Sequence, residues 1–177
     1  MANLTDSPTF ETHDDYYTPK SAWEQVNHLI PKDEVIWEAC MLNSYQSKSP
    51  EYLTELGNNV VFNYDQDILE DHDEIYDRII TNIPFDKQIK MKILKRLVEI
   101  DKPFMIIMNS MNLYTKYIRE IFKDKFCDLQ VINPSKKINF DKLDYETNEL
   151  RETNNCSFYC IYLCYKWDLS NENLWLN

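Results

Sequence analysis

Short apolar runs, rich in β-branched and aromatic residues, alternate with segments of helical periodicity along most of the chain, and this alternation limits the fold more than any other feature. A strand that is apolar at consecutive positions needs cover on both faces, and a helix between two such strands supplies cover while returning the chain to start a parallel neighbour. From Thr18-Pro19 a short helix is expected through residues 21–30, with Pro19 available for its first turn and Pro31 stopping it. Residues 34–39 read as a buried strand, 50–56 as a helix ended by Gly57, and 60–63 as the next strand. Residues 75–81 predict a strand that delivers Asn82 to its carboxyl end. A helix over 86–100 follows, with Ile89, Ile93, Leu94, Leu97 and Ile100 on one face. Residues 103–108 form a fully apolar strand, 113–122 a helix, and 129–132 and 158–167 the last strands. The pattern predicts an α/β fold, a mostly parallel sheet with helices on both faces. In such a sheet, ligands sit beyond the carboxyl ends of the strands, near the point where strand order reverses. Residues 38–44, 63–67, 82–85 and 109–112 are therefore the candidate positions.

The chain has 177 residues, 44% hydrophobic and 14% aromatic, enough for one sizeable core. One domain over residues 15–177 is expected after a loose lead-in, residues 1–14. No run of about 18 apolar residues occurs and the N-terminus lacks a signal-peptide apolar core, so a cytoplasmic protein is expected. Cys40, Cys127, Cys156, Cys160 and Cys164 are odd in number and lie mostly in apolar segments, as reduced core residues do. The four-residue spacing of the last three would line one face of a helix, but the β-branched and aromatic density around them favours a strand, where the same spacing also shares a face. No histidine lies near, and no metal site is expected. His13, His28 and His72 are scattered without ligand spacing, and Asp71-His72-Asp73 reads as a solvated loop. The stripe Phe158, Tyr159, Tyr162, Tyr165 and Trp167 reads as core.

A net charge of −11 argues against indiscriminate nucleic-acid binding. The charge is unevenly spread: residues 1–85 hold 4 Lys/Arg against 17 Asp/Glu, residues 86–137 hold 12 against 6, and residues 138–177 hold 3 against 7. Any contact with DNA should therefore use residues 86–137, while the acidic N-terminal half would suit a basic protein partner. Gly57 is the sole glycine, so few positions favour positive φ or close backbone approach by a ligand.

The chemistry is concentrated at Asn82-Ile83-Pro84-Phe85. An exocyclic aromatic amine is a poor nucleophile because its lone pair is delocalised into the ring. An Asn side-chain oxygen and an adjacent backbone carbonyl can accept its hydrogens and favour the geometry of attack. An aromatic residue three positions on can stack against a base turned out of a duplex. Asp77-Arg78-Ile79-Ile80-Thr81-Asn82-Ile83-Pro84-Phe85 resembles the D-x-I-x-T-N-P-P-F stretch of N6-adenine and N4-cytosine DNA methyltransferases, especially the compact versions of phages and large DNA viruses. The flanks agree. Tyr16-Tyr17-Thr18-Pro19 resembles the Y-Y-T-P element that opens those enzymes, Ile36-Trp37-Glu38-Ala39 their I-W-E-P strand, and Lys102-Pro103-Phe104-Met105-Ile106-Ile107 their next strand. Lys137-Ile138-Asn139-Phe140, followed by Asn154-Asn155-Cys156-Ser157-Phe158, resembles the R-I-K-F and N-S-P-F pair of the phage enzymes.

The resemblance, spanning about residues 15 to 167, implies a Rossmann-like class I methyltransferase fold that uses S-adenosylmethionine to methylate the exocyclic amine of adenine in DNA. It implies that Asn82 and the Ile83 carbonyl hold the amine and that Phe85 stacks on the base, with Asn82, Pro84 and Phe85 all in register with the signature. Tyr17, Thr18, Glu38, Ala39, Asn43, Asn63, Asp65 and Asp67 would surround the cofactor, and Lys116, Arg119, Lys123, Lys136 and Lys137 would meet phosphate. Two departures leave catalysis open. The loop 39–44, glycine-rich in the family, has no glycine, and Ile83 replaces the first proline. A catalytically inactive binding or assembly module is the alternative, and methylation of RNA or of a protein glutamine amide follows the same amine logic. Residues 145–155 carry Glu146, Glu149 and Glu152, a poor composition for touching DNA, so low specificity or a helper subunit is expected.

Overall fold

A computed structural model of the chain describes residues 16–41, 44–71, 75–144, 146–153, 156–170 and 173–176. The expected lead-in, residues 1–14, lies outside them, as do His13, His72 and Asn43. The described elements are α1 (Lys20–Val26), β1 (Val35–Glu38), α2 (Ser49–Glu55), β2 (Asn59–Phe62), β3 (Arg78–Asn82), α3 (Lys87–Ile100), β4 (Phe104–Asn109), α4 (Lys116–Ile121), β5 (Leu129–Asn133), β6 (Asp141–Asp144), β7 (Glu149–Glu152), β8 (Cys160–Tyr165) and β9 (Asn173–Trp175).

Seven strands form one sheet in the order β2-β1-β3-β4-β8-β5-β9, and β6 and β7 form a separate antiparallel hairpin. β1 is parallel to β2 and β3, β3 to β4, and β5 to β9, whereas β8 is antiparallel to both β4 and β5. The mostly parallel α/β sheet expected from the sequence is therefore present, with β8 alone reversed.

Side chains alternate across the sheet with the period of two that a strand imposes. β4 sends Phe104, Ile106 and Met108 to one layer and Met105 and Ile107 to the other, and β8 divides Ile161, Leu163 and Tyr165 from Cys160, Tyr162 and Cys164 in the same way. α3 and α4 close the first layer through Ile93, Leu94, Leu97, Tyr117, Ile118 and Phe122. α1 and α2 close the second through Ala22, Trp23, Val26 and Leu53. Full burial of each such aliphatic or Phe side chain is worth about 1.5–3 kcal/mol relative to exposure. Cys160 and Cys164 share one strand face, and burial pushes the Cys160 thiol up to about 12, so it is an unreactive core group.

α3 forms because Lys, Gln, Met, Leu, Arg and Glu fill most of its positions. The Asp86 carboxylate accepts from the Gln88 and Ile89 amides (2.8 and 2.9 Å), and Asp101 ends the helix in the left-handed region at φ 57°. Gly57 does the same after α2 at φ 84°, and a Cβ there would meet nothing within 4 Å, so glycine is favoured by conformation and not by space.

Several expectations need correction. Ile89, placed on the core face of α3, is 45% exposed and lines a cleft, while Lys90 is buried beside Ile93. The helix expected over 113–122 is a 3-10 turn, Ser110–Tyr114, and then α4, because Thr115 is extended at ψ 154°. β3 begins at Arg78, leaving Ile75 88% exposed and Tyr76 packed on Trp37 at 4.9 Å between ring centres. Tyr159 is exposed, whereas Tyr162, Tyr165 and Trp167 are buried as expected. β6, β7 and β9 were not legible as strands. Among the described residues no helix is long and apolar enough to cross a membrane.

Candidate functional site

From β1 the sheet continues to β2 on one side and to β3 and β4 on the other, so the order reverses between the carboxyl ends of β1 and β3. A crevice opens at such a point because the connections leaving the two strands diverge to opposite faces. Here it is a cleft with two arms that share Cys40, Ser44, Pro84 and Ile89. The first arm, of about 330 Å³, is lined by Tyr16, Tyr17, Thr18 and Glu38, by serines of the 44–49 segment, and by Asn82, Ile83 and Phe85. The second, of about 320 Å³, is more apolar and adds Ala39, Asp67, Ile68, Leu69, Lys92 and Ile93. Either volume is of the size that small-molecule sites occupy.

Glu38, the last residue of β1, is only 2% exposed. The Thr81 hydroxyl donates to its Oε1, as does the Cys40 amide at 3.4 Å, and the Cys40 amide also reaches Thr81 Oγ1 at 3.1 Å. Loss of solvent pushes the Glu38 carboxyl up to about 8, with the two donors opposing the rise. Glu38 thus keeps its proton up to about pH 8, and a cation in the cleft would draw it off.

At the end of β3 the Asn82 Nδ2 donates to the Tyr16 carbonyl at 3.5 Å, while Asn82 Oδ1 is buried without a hydrogen-bond partner. An orphaned buried acceptor costs about 1–3 kcal/mol. Ile83 is 1% exposed and Pro84 lines both arms. Phe85 belongs to an aromatic cluster, 5.2 Å from Tyr16, 5.4 Å from Phe140 and 4.9 Å from Phe158, and its carbonyl accepts from the buried Lys90 Nζ at 3.1 Å. Tyr16 and Tyr17 are held there by a bridge in which the Tyr17 amide donates to the Asp141 carbonyl at 2.9 Å and the Asp141 amide returns a bond at 2.8 Å. The hairpin β6–β7 therefore positions one wall of the cleft.

The structure brings Tyr17, Thr18, Glu38, Ala39, Asp67, Asn82, Ile83, Pro84 and Phe85 together around the two arms. It does not bring Asn63 and Asp65 there. Both are exposed in a turn after β2, where Asn63 Oδ1 accepts from the Asp65 amide at 2.9 Å and Tyr45 donates to Asp65 at 3.1 Å. The five basic residues do not form one patch. Lys116, Arg119 and Lys123 lie on or just after α4, against one layer. The Lys136 backbone amide donates to Gln25 Oε1 of α1 on the opposite layer at 2.9 Å, and the Lys137 ammonium donates to the Cys156 carbonyl and sits 4.8 Å from the Tyr159 ring. Met41 lies in the candidate span 38–44, whereas Thr81, Ser47, Ser49 and Lys90 were missed. Thr81 carried a signal, since it sits beside Asn82 in the strand that delivers it.

No protein-family model and no curated protein matches the sequence. Solved structures match by fold. A protein from Listeria monocytogenes assigned as a class I S-adenosylmethionine-dependent methyltransferase aligns at a TM-score of 0.51 and 13% identity, over 92% of this chain and 65% of that one. TehB from Haemophilus influenzae aligns at 0.44 and 14% identity, over 84% and 62%. An S-adenosylmethionine-dependent O-methyltransferase from Thermotoga maritima aligns at 0.39 and 15% identity, over 82% and 64%. The chain spans less than two thirds of the length of each of these three. The Listeria likeness shows that this chain has a Rossmann-like class I methyltransferase fold.

Proposed function

We propose that the chain is an S-adenosylmethionine-dependent amino-methyltransferase whose substrate is the exocyclic amine of adenine in DNA. The observation that supports this reading best is the buried Asn82 Oδ1, an acceptor with no partner at the floor of the switch-point cleft, next to the Ile83 backbone. A hydroxyl, thiol or carboxylate nucleophile has at most one hydrogen to give, whereas an exocyclic amine has two and answers an Asn oxygen and a carbonyl together.

The residues fit the cofactor at one end. An apolar arm with a single carboxylate suits adenine, which Ile68, Pro84 and Ile93 would hold and whose amine Asp67 would meet. Thr18, Glu38 and Ser44 would take the polar remainder. S-adenosylmethionine, when bound, supplies an electrophilic methyl group on a cationic sulfur. Asn82 and the Ile83 carbonyl hold the amine so that its lone pair turns out of the ring plane, and Phe85 with Tyr16 excludes water from the base face. The amine becomes acidic once alkylated and releases its proton without a strong base. DNA would approach over residues 86–137, where positive charge predominates.

The exposed turn at Asn63 and Asp65 favours a second reading. With neither Asn63 nor Asp65 reaching the cleft to hold the ribose, the fold would serve as a binding module, its acidic N-terminal half meeting a basic partner. Calorimetric titration with S-adenosylmethionine and S-adenosylhomocysteine separates the two. Binding in roughly the micromolar range, lost in Asp67→Ala, supports the enzyme reading, and transfer of labelled methyl to DNA, RNA or a glutamine-containing peptide then identifies the substrate. No heat up to millimolar ligand overturns it and leaves the binding module.

A further inference from the structure

Beside the cleft, beyond the carboxyl ends of β3 and β4, a second cavity of about 470 Å³ lies between the start of α3 and the start of α4 and shares Phe85 with the first arm. Three of its lining residues are lysines: Lys87 and Lys90 from α3 and Lys116 from α4. Lys90 gives its ammonium to the Phe85 carbonyl at 3.1 Å and Glu120 pairs with Lys116 at 3.4 Å, so three lysines face one carboxylate in a protein of net charge −11. Two buried polar atoms in this lining make no hydrogen bond, Asn112 Nδ2 and the Tyr117 hydroxyl, and Tyr117 as a whole is only 8% exposed. Thr115 is close enough to Tyr117 to lower its pKa against the larger rise from burial, but the Thr115 hydroxyl gives its proton to the Asn112 carbonyl at 2.6 Å. Both orphaned groups have hydrogens to donate, and the charge around them is positive. A ligand that satisfies all of them must be rich in acceptors and negatively charged.

We infer that this cavity is a phosphate subsite, and that it takes the phosphate of the nucleotide whose base enters the adjoining cleft at Phe85. Phosphate presents strong acceptor oxygens and a charge of about −1.5 to −2 as a monoester. Lys87 and Lys116 supply mobile ammonium groups and Asn112 and Tyr117 fixed neutral donors, the mixture that phosphate contacts commonly use. The choice of a nucleotide rests on the reading of the Asn82 cleft, whereas the phosphate pocket itself does not.

The test uses the full chain without any methyl donor. Inorganic phosphate is titrated and followed by phosphorus line broadening, and adenosine and adenosine 5′-monophosphate are compared calorimetrically. Phosphate binding should weaken about tenfold in Lys87→Ala/Lys116→Ala, as expected when charge-assisted contacts are removed. Tyr117→Phe should weaken it several-fold while leaving the melting temperature nearly unchanged, because the hydroxyl it deletes has only a weak contact with Thr115 in the free protein. Absence of broadening, or equal broadening in wild type and both variants, overturns the subsite. The monophosphate should bind at least about tenfold tighter than either inorganic phosphate or adenosine. A monophosphate no tighter than inorganic phosphate overturns the nucleotide assignment. Replacing it with a short adenine-containing single strand distinguishes a diester in a strand from a free monoester. Because no cofactor is present, failure to bind S-adenosylmethionine leaves this result standing.

Discussion

The two ends of the sheet treat their polar groups in opposite ways. At the amino end of the parallel strands, charges are matched. Arg78 grips Glu34 through two nitrogens, lies 4.9 Å from the Trp167 ring and donates to the Trp167 carbonyl at 3.4 Å. Asp101 receives Lys125 at 2.6 Å, Lys166 at 2.8 Å and the Tyr165 hydroxyl at 2.7 Å, and these donors, Lys125 foremost, hold its carboxyl well below the usual carboxylate range. At the carboxyl end, Asn82 Oδ1, Asn112 Nδ2 and the Tyr117 hydroxyl are buried without partners, and Glu38 is buried at the cost of its ionisation. Among the described residues Arg96 Nε and Asn139 Oδ1 also lack partners, so the two ends differ in degree, with three of the five such atoms at the carboxyl end. On the reading proposed above, the amino end holds the fold and the carboxyl end takes the ligand.

The comparison would be broken most directly at the amino end. Arg78→Ala should destabilise the protein by about 3 kcal/mol, a fall in Tm of roughly 6–12 °C, since it leaves Glu34 unpaired and uncovers Trp167. Thermal denaturation at neutral pH checks this, and a change below about 1 kcal/mol would show the network to be ornamental.

Next in size is a pH effect at the carboxyl end. Between the ordinary carboxyl value of 4.5 and about 8, folded Glu38 keeps a proton that the unfolded chain has lost, so it favours folding at low pH and that contribution declines as pH rises through about 8. Denaturant titrations should show wild type losing stability, on the order of 3 kcal/mol, between pH 5 and pH 9, relative to Glu38→Gln. Parallel slopes in the two proteins would mean that Glu38 is ionised in the folded state. The same ionisation sharpens ligand choice: S-adenosylmethionine, a cation, should gain on neutral S-adenosylhomocysteine as pH rises from 6.5 to 9, which paired calorimetric titrations would reveal.

The smallest effect on stability should come from Asn82→Ala, within about 0.5 kcal/mol of wild type, because its Oδ1 has no bond to lose and its Nδ2 only the long one to the Tyr16 carbonyl at 3.5 Å. Cofactor affinity should also be retained, while methyl transfer to adenine is abolished. A large loss of stability would make Asn82 a structural residue and erase the distinction between the two ends.

Much of this architecture was legible because it rests on local periodicity. The apolar run 104–108 has to be a two-sided strand, and the apolar face at 93, 94 and 97 with Asp86 ahead of it has to be a capped helix. Where local signals are weak, reading failed. Asp141–Asp144 and Glu149–Glu152 are charged strands that alternate too little to show, yet their hairpin seats Tyr16 and Tyr17 at the cleft. Asn173–Trp175 is a strand only because β5 offers it an edge.

By itself, then, the sequence determined the strand–helix alternation and the delivery of Asn82-Ile83-Pro84-Phe85 to a strand end, since both depend on residues within one turn or one strand. Only the tertiary structure decided that Glu38 meets Thr81 across 43 residues, that Phe85 joins Tyr16, Phe140 and Phe158, that Asn63 and Asp65 stay outside the cleft, and that Lys87, Asn112 and Tyr117 share a cavity. Solvation and charge at a site are set by groups remote in sequence, and the chain brings those groups together only when it packs.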